Sequence, residues 1–214
     1  MKKISLFFFL FLCCTIQSFS QYSDIEQYPV EIKEIISPEF EWSQFDHKEA
    51  ECKLNKDALV LECKKNDYFA CTTTELDFDV NNIDFVLEFQ LEPNDLDDDH
   101  PFGIVYDFKN VNNFQSLCFG KKQFQLLSFE NGERAVVKEG LYKLDNKKKM
   151  LVSLMKKDGR LSFYVGSQHL PLTTIRNPQF EHPRVGVYAR NKTKVKITGF
   201  GYRFIIPEEE EESE

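Results

Sequence analysis

From Phe40 onward, hydrophobic residues alternate with polar ones along most of the chain. The clearest run, 85–91, places Phe, Leu, Phe and Leu at every second position. Alternation over this length predicts strands that bury one face. The same pattern, or a short apolar run, predicts further strands at 59–61, 76–80, 102–108, 114–119, 124–129, 135–137, 150–155, 161–165, 185–189 and 195–204.

Two dipeptides mark the tightest turns between these strands. Asn131-Gly132 and Asp158-Gly159 each separate two apolar segments, which is the strongest short-range signal for a hairpin. About a dozen short strands with no long helical pattern between them predict an all-β fold, a two-sheet antiparallel β-sandwich. The 21 Phe residues fall largely at alternating strand positions, so we expect most of them in the core.

The two ends of the chain differ from this body. Lys2 and Lys3 precede a short apolar run that ends at small residues near Ser20, which is typical of a secretory signal peptide over residues 1–20. We therefore expect an exported protein, periplasmic or extracellular, with no transmembrane segment in the mature chain. Residues 21–38 are a lead-in segment, 39–207 the sandwich domain and 208–214 an acidic tail.

The charge excludes one class of partner. The formal net charge is −8, and a nucleic-acid-binding protein normally presents a basic surface, so no nucleic acid is expected. Six of the 35 acidic residues lie in the tail, at Glu208–Glu212 and Glu214. A run of like charges repels itself, so we expect a disordered tail that aids solubility, with partner binding as the alternative.

Several segments together resemble a known family. They are 84–91 (DFVLEFQL), 102–106 (FGIVY) with 112–114 (NNF), 158–165 (DGRLSFYV), 185–189 (VGVYA) and 195–200 (VKITGF). They resemble strands of the concanavalin A-like lectin and glucanase superfamily, closest to the laminin-G-like jelly rolls of exported bacterial proteins. The resemblance implies two curved antiparallel sheets. It also implies a function within a range from glycan-binding and adhesion modules to glycoside hydrolases.

One acidic motif raises the possibility of an enzyme. Glu75, Asp77 and Asp79 alternate with apolar residues and resemble the E-x-D-x-E strand of the family's retaining glucanases. Retaining glycosidases need two carboxyl groups on one face about 5–5.5 Å apart. The third position is Asp where the family has Glu, and the only Trp in the chain is Trp42. The alternative is a strand whose acidic side chains simply face water.

The favoured function is a non-catalytic, exported binding module for a glycan or a cell-surface protein. Sugars are held by amide and carboxylate hydrogen bonds and by aromatic rings, and Tyr106, Asn112, Asn113 and Tyr188 are the candidate ligand-binding residues. Two alternatives remain open: a glycoside-active enzyme that uses Glu75 and Asp79, and an envelope protein with a structural or partner-binding role.

The sequence also contains weak candidates for a metal site and for a disulfide bond. Asp95, Asp97 and Asp99 lie in an acidic loop whose oxygens are of the type that calcium prefers, but the favoured interpretation is a solvated loop, and no other cofactor is expected. Cys52 and Cys63 flank a predicted hairpin, so they are the candidate disulfide pair. The alternative is that the four cysteines of the mature chain are buried free thiols.

Overall fold

The computed structural model describes residues 24–35, 39–94, 101–142, 149–166 and 170–206. Within them the backbone forms one 3-10 turn, Asp24–Gln27, and fifteen strands. The strands are β1 (Lys33–Glu34), β2 (Phe45–Asp46), β3 (Ala50–Asn55), β4 (Ala58–Cys63), β5 (Phe69–Glu75), β6 (Phe85–Pro93), β7 (Phe102–Asn110), β8 (Asn113–Phe119), β9 (Gln123–Glu130), β10 (Glu133–Leu141), β11 (Met150–Lys157), β12 (Arg160–Val165), β13 (Thr173–Arg176), β14 (Arg184–Arg190) and β15 (Lys194–Phe204).

The strands form two antiparallel sheets, which confirms the predicted sandwich. The larger sheet has the order β13-β12-β11-β6-β15-β4-β3-β2, with β1 paired to β15, and the smaller has the order β10-β9-β8-β7-β14-β5. Both predicted hairpins are present, and positive φ angles at Asn131, Gly132, Asp158 and Gly159 provide their tight turns. No helix in the described ranges is long and apolar enough to cross a membrane.

The main core lies between the sheets and is rich in Phe. Phe89 and Phe200 come from neighbouring strands of the larger sheet, with ring centroids 4.8 Å apart, and both are fully buried. Phe102 and Phe119 face them from the smaller sheet and are fully buried as well. Aromatic side chains bury more apolar area than any others, so these rings account for much of the hydrophobic stabilisation.

The described part of the lead-in segment packs on the outer face of the larger sheet. Ile25, Tyr28 and Val30 contact a buried cluster that includes Met155 and Ile205. Strand β1 then pairs with β15 opposite Gly199, where a Cβ atom would lie 2.4 Å from Ile32 Cγ2. The glycine therefore lets the lead-in segment approach the sheet closely, and this segment is part of the packed domain.

The predicted strand over residues 76–80 is wrong. Strand β5 ends at Glu75, and the segment after it turns because the Asp79 carboxylate accepts the backbone N–H groups of Asn81 (3.0 Å) and Asn82 (3.3 Å). Such bonds from an Asp side chain to the next residues favour a turn over a strand. Leu76 and Val80 are nevertheless buried, as the alternation predicted.

The predicted disulfide between Cys52 and Cys63 is absent from the structure, where both are free thiols. The register pairs Cys52 with Leu61 and Ala50 with Cys63, so the two cysteines are diagonal neighbours rather than direct partners. Diagonal positions lie about 7–8 Å apart, beyond the usual separation for a disulfide. The Cys63 thiol instead donates to the carbonyl of Tyr68 at 3.2 Å.

Candidate functional site

The smaller sheet has a second aromatic cluster on the face that points away from the main core. Successive side chains of a strand point to opposite faces, so Phe114, Phe129 and Tyr188 lie opposite the core-facing residues of their strands. The Phe114 and Phe129 rings stack with centroids 4.1 Å apart, and Phe69 packs 5.4 Å from Phe129. This cluster closes much of the outer face of the sheet.

A pocket of about 200 Å³ opens beside this cluster, at one end of the smaller sheet. Asn113, Gln115 and Ser128 line it with polar groups, and the almost fully buried Phe114 and Phe129 back it from the neighbouring strand positions. The volume is below the roughly 300–1,000 Å³ of pockets that enclose drug-sized ligands. The pocket is therefore too small to enclose a drug-sized ligand.

Asp107 forms one wall of the pocket because strand β7 is irregular there. Its φ angle is 53°, and the pairing of β7 with β8 shifts between Tyr106 and Asn110. A non-glycine residue with positive φ is uncommon, and bulges often re-aim a side chain. Asp107 Oδ1 accepts the backbone N–H groups of Glu181 (2.9 Å) and His182 (2.7 Å), which fixes the 181–182 loop against the pocket.

The electrostatic environment of Asp107 disfavours its charge. Burial raises the pKa of the Asp107 carboxyl, and the hydrogen bonds from the backbone N–H groups of His182 and Glu181 offset only part of this effect. Nearby, His182 Nε2 is buried without a hydrogen-bond partner. An unpaired buried polar atom lowers the stability of the fold.

The rim of the pocket is built by two neighbouring hairpin turns rich in asparagine. Gly132 donates its N–H to the carbonyl of Asn112 at 2.9 Å, and Asn131 donates its N–H to Asn113 Oδ1 at 3.0 Å. Asn113 Nδ2 in turn donates to Asn110 Oδ1 at 3.1 Å. The side-chain amide of Asn113 thus holds the two turns together. The amide of Gln115, which also lines the pocket, makes no hydrogen bond within the described residues.

The predicted ligand-binding residues are only partly brought together. Asn113 lines the pocket, and Asn112 lies in the adjacent turn. Tyr188 is buried in the aromatic cluster next to the pocket. Tyr106 faces the main core, where its ring lies 5.3 Å from that of Phe163, so it points to the opposite face of the sheet from Tyr188.

The carboxylates of the predicted enzyme motif do not form a convergent pair on one strand. Glu75 ends β5 and lies opposite Arg184 in the register, while Asp77 accepts a hydrogen bond from the Tyr202 hydroxyl at 3.4 Å and Asp79 caps the turn that follows. The expectation that one strand face presents all three is wrong, because the strand ends before two of them.

The calcium candidates Asp95, Asp97 and Asp99 lie outside the described residues, as do the signal peptide and the acidic tail. Within the described ranges, no group of three or more His, Cys, Asp or Glu side chains is arranged to hold a metal ion.

Sequence reasoning missed Asp107, Gln115, Glu130, Glu181 and His182. Asp107 carried one available signal, since it is a lone acid between Tyr106 and Phe108 in an otherwise apolar strand. The others carry none, because hydrophobic alternation does not reveal which strand ends meet.

No protein-family model matches the chain, and no curated protein matches it in sequence. Solved structures do match in shape. The carbohydrate-binding module CBM66 from Bacillus subtilis superposes with a TM-score of 0.56 at 13% identity, over 76% of this chain and 94% of the module. The chain has the concanavalin A-like jelly-roll fold. The two-sheet jelly-roll fold that the resemblance implied is thereby confirmed.

Two further structures share this fold. The exoplasmic/lumenal domain of VIP36, in a form bound to Ca²⁺ and Man3GlcNAc, matches with a TM-score of 0.57 at 9% identity, over 84% of this chain and 92% of that domain. A xylan β-1,4-xylosidase from Bacillus halodurans matches with a TM-score of 0.54 at 13% identity. That match covers 75% of this chain but 38% of the enzyme. At these identities the likeness is one of fold.

Proposed function

We propose that this protein is an exported, non-catalytic module that binds a glycan in the pocket between Asp107, the β8–β9 strands and the 181–182 loop. The observation that carries the proposal is the pocket itself, which gathers amide, hydroxyl and carboxylate groups at one end of the smaller sheet. Sugars present several hydroxyl groups that both donate and accept hydrogen bonds, so they match such a surface. The charged start and apolar run of residues 1–12 support export.

The contacts assign separate roles to the pocket residues. The half-buried amide of Gln115 makes no hydrogen bond within the described residues and can bond sugar hydroxyls, and the half-buried imidazole of His182 lines the pocket beside it. Asp107 holds the loop that carries His182. The carbohydrate-binding module and the VIP36 domain, the latter solved with Ca²⁺ and Man3GlcNAc bound, add support because both share this fold.

The first test is a glycan-array and polysaccharide-retardation screen of the purified protein, run with calcium and with a chelator. Any glycan that binds the wild-type protein is then tested against two pocket variants, which should bind it more weakly. Gln115→Met keeps the side-chain length but removes the amide, and His182→Phe keeps a ring but removes its nitrogens. Gln123→Met is the matched control, because Gln123 is exposed at the opposite end of β9.

We expect each pocket variant to weaken binding about tenfold, in line with the loss of one hydrogen bond of about 1 kcal/mol or more in a buried site, and the control to bind normally. Folded protein that binds no glycan would refute the proposal. Binding that both pocket variants retain would place the glycan elsewhere. Loss of binding in chelator would support the predicted calcium role of the 95–99 loop.

A further inference from the structure

The pocket carries an excess of negative charge. Its lining includes the carboxylates of Asp107, Glu130 and Glu181, and the single opposing charge of Lys109. Within the described residues, none of these four side chains forms an ion pair with another. The carboxylates of the lining therefore outnumber its one cation, and the net charge of the lining is negative.

The carboxylate oxygens retain free acceptor capacity. Asp107 uses Oδ1 for both of its backbone hydrogen bonds, and no donor within the described ranges contacts its Oδ2. Glu130 Oε1 accepts from the Ser128 hydroxyl at 3.2 Å, and no described donor contacts the Glu181 carboxylate. An ionised carboxylate accepts up to about four hydrogen bonds, so all three have room for a ligand donor.

Sugars of different charge should interact differently with the negatively charged lining of the pocket. A sugar acid would bring a fourth carboxylate into the pocket and be repelled. A neutral sugar would donate hydroxyl hydrogen bonds but leave the charge uncompensated. A sugar with a free amine carries an ammonium group, which supplies three donors and forms charge-assisted hydrogen bonds with carboxylates.

We infer that the pocket selects a glycan residue that carries a free amine, and that Glu130 and Glu181 provide the charge for this selection. The inference rests on the proposed function, since it names the class of sugar for the same pocket. Lys109, which is exposed like Glu130 and Glu181, supplies one positive charge against three carboxylates and so does not cancel the selection.

The test uses short β-1,4-linked oligosaccharides that differ in one group. Oligomers of glucosamine, N-acetylglucosamine and glucose carry an amine, an acetamide and a hydroxyl at the same carbon, and an oligomer of a uronic acid adds the anionic case. Binding is measured by titration calorimetry at about 0.15 M salt, where the Debye length is about 8 Å and distant surface charges are screened. We expect the glucosamine oligomer to bind at least tenfold more tightly than the neutral ones, and the uronic acid oligomer not to bind.

A pair of variants assigns the selectivity to the pocket. Glu130→Gln with Glu181→Gln removes two charges while it keeps the side-chain shape, and we expect a loss of about fivefold or more that is confined to the amine oligomer. Glu41→Gln with Asp57→Asn removes the same charge from exposed residues outside the pocket, and this control should bind normally.

The outcomes separate the two proposals. Equal binding of glucose and glucosamine oligomers would overturn the amine preference and leave the glycan function standing. Two other results would overturn the amine preference, because each would show only general charge attraction. In the first, a free lysine tripeptide binds as tightly as the glucosamine oligomer. In the second, the control variant weakens binding as much as the pocket variant does. Absence of binding to every oligomer by folded protein would refute the proposed function itself.

Discussion

The carboxylate of Asp107 accepts the backbone N–H of His182 across 75 positions of the chain, at 2.7 Å. The same oxygen accepts the N–H of Glu181, so one side chain fixes the loop that forms a wall of the pocket. Asp107 reaches the loop because its own backbone has left the regular strand geometry, with a φ of 53°. The shape of the pocket therefore depends on one acid in an irregular part of β7.

Removal of this acceptor should loosen the loop. We expect Asp107→Ala to lower the free energy of unfolding by about 1–3 kcal/mol, because two backbone N–H groups lose their partner. Glycan binding should weaken by more than the stability loss explains, since His182 is no longer held in place. Urea unfolding and titration calorimetry measure the two effects. Asp107→Asn is the control, because its side-chain oxygen can still accept both bonds; an Asn variant as weak as the Ala variant would contradict the anchoring role.

The pH dependence of stability should reveal the raised pKa of Asp107. A pKa above the ordinary value of 3.8 means that the folded protein holds the proton more tightly than the unfolded chain. The contribution of this carboxyl to the free energy of unfolding is then fully present below pH 3.8 and is lost as the pH rises through the raised pKa. The Asp107→Asn variant has no titratable group at this position, so its free energy of unfolding should not show this decline.

We therefore expect the difference in unfolding free energy, Asn variant minus wild type, to grow as the pH rises from the ordinary Asp range toward neutrality and then to level off. Urea unfolding of both proteins at a series of pH values measures it. A difference that stays constant with pH, or that shrinks as the pH rises, would show that burial does not dominate at this carboxyl.

The stacked rings beside the pocket should matter for stability and for binding. Phe129→Leu removes the stack with Phe114, and we expect a loss of about 0.5–1.5 kcal/mol from the aromatic pair alone. Glycan binding should weaken as well, because this packing holds the strand positions from which Ser128 and Glu130 reach the pocket. Phe163→Leu is the matched change in the main core, where Phe163 packs 5.3 Å from Tyr106. It should destabilise the fold by a similar amount and leave binding intact. Equal effects of the two variants on binding would show that the outer cluster has no particular role.

The cysteines should behave as buried thiols. Burial raises the pKa of Cys52 to about 11 and that of Cys118 to about 12, so little reactive thiolate is present at neutral pH. We expect Cys52, Cys63, Cys71 and Cys118 to react with a thiol reagent slowly in the native protein and completely in denaturant. A reducing agent should not change the Tm, and a clear drop in Tm on reduction would indicate a disulfide after all.

Glu75, Asp77 and Asp79 show how far hydrophobic alternation can be trusted. The pattern predicted correctly that Leu76 and Val80 are buried while Asp77 is exposed. It did not predict the backbone, because alternation reports which side chains leave water and not which hydrogen bonds the main chain makes. The bonds from Asp79 to the next two residues favoured a turn, and the expected row of carboxylates was lost with the strand.

The sequence by itself determined the class of fold, since period-two burial and the two glycine-containing turns are local properties of the chain. The family resemblance could also be recognised from the sequence, because the motifs that carry it lie within single strands or hairpins. Only the tertiary structure decided the site: Asp107, the β9 residues and the 181–182 loop are far apart in sequence and meet because the sheet order places β8 between β7 and β9 and sets β14, which follows the loop, beside β7. Strand order depends on the packing of both sheets together, so no local pattern records it.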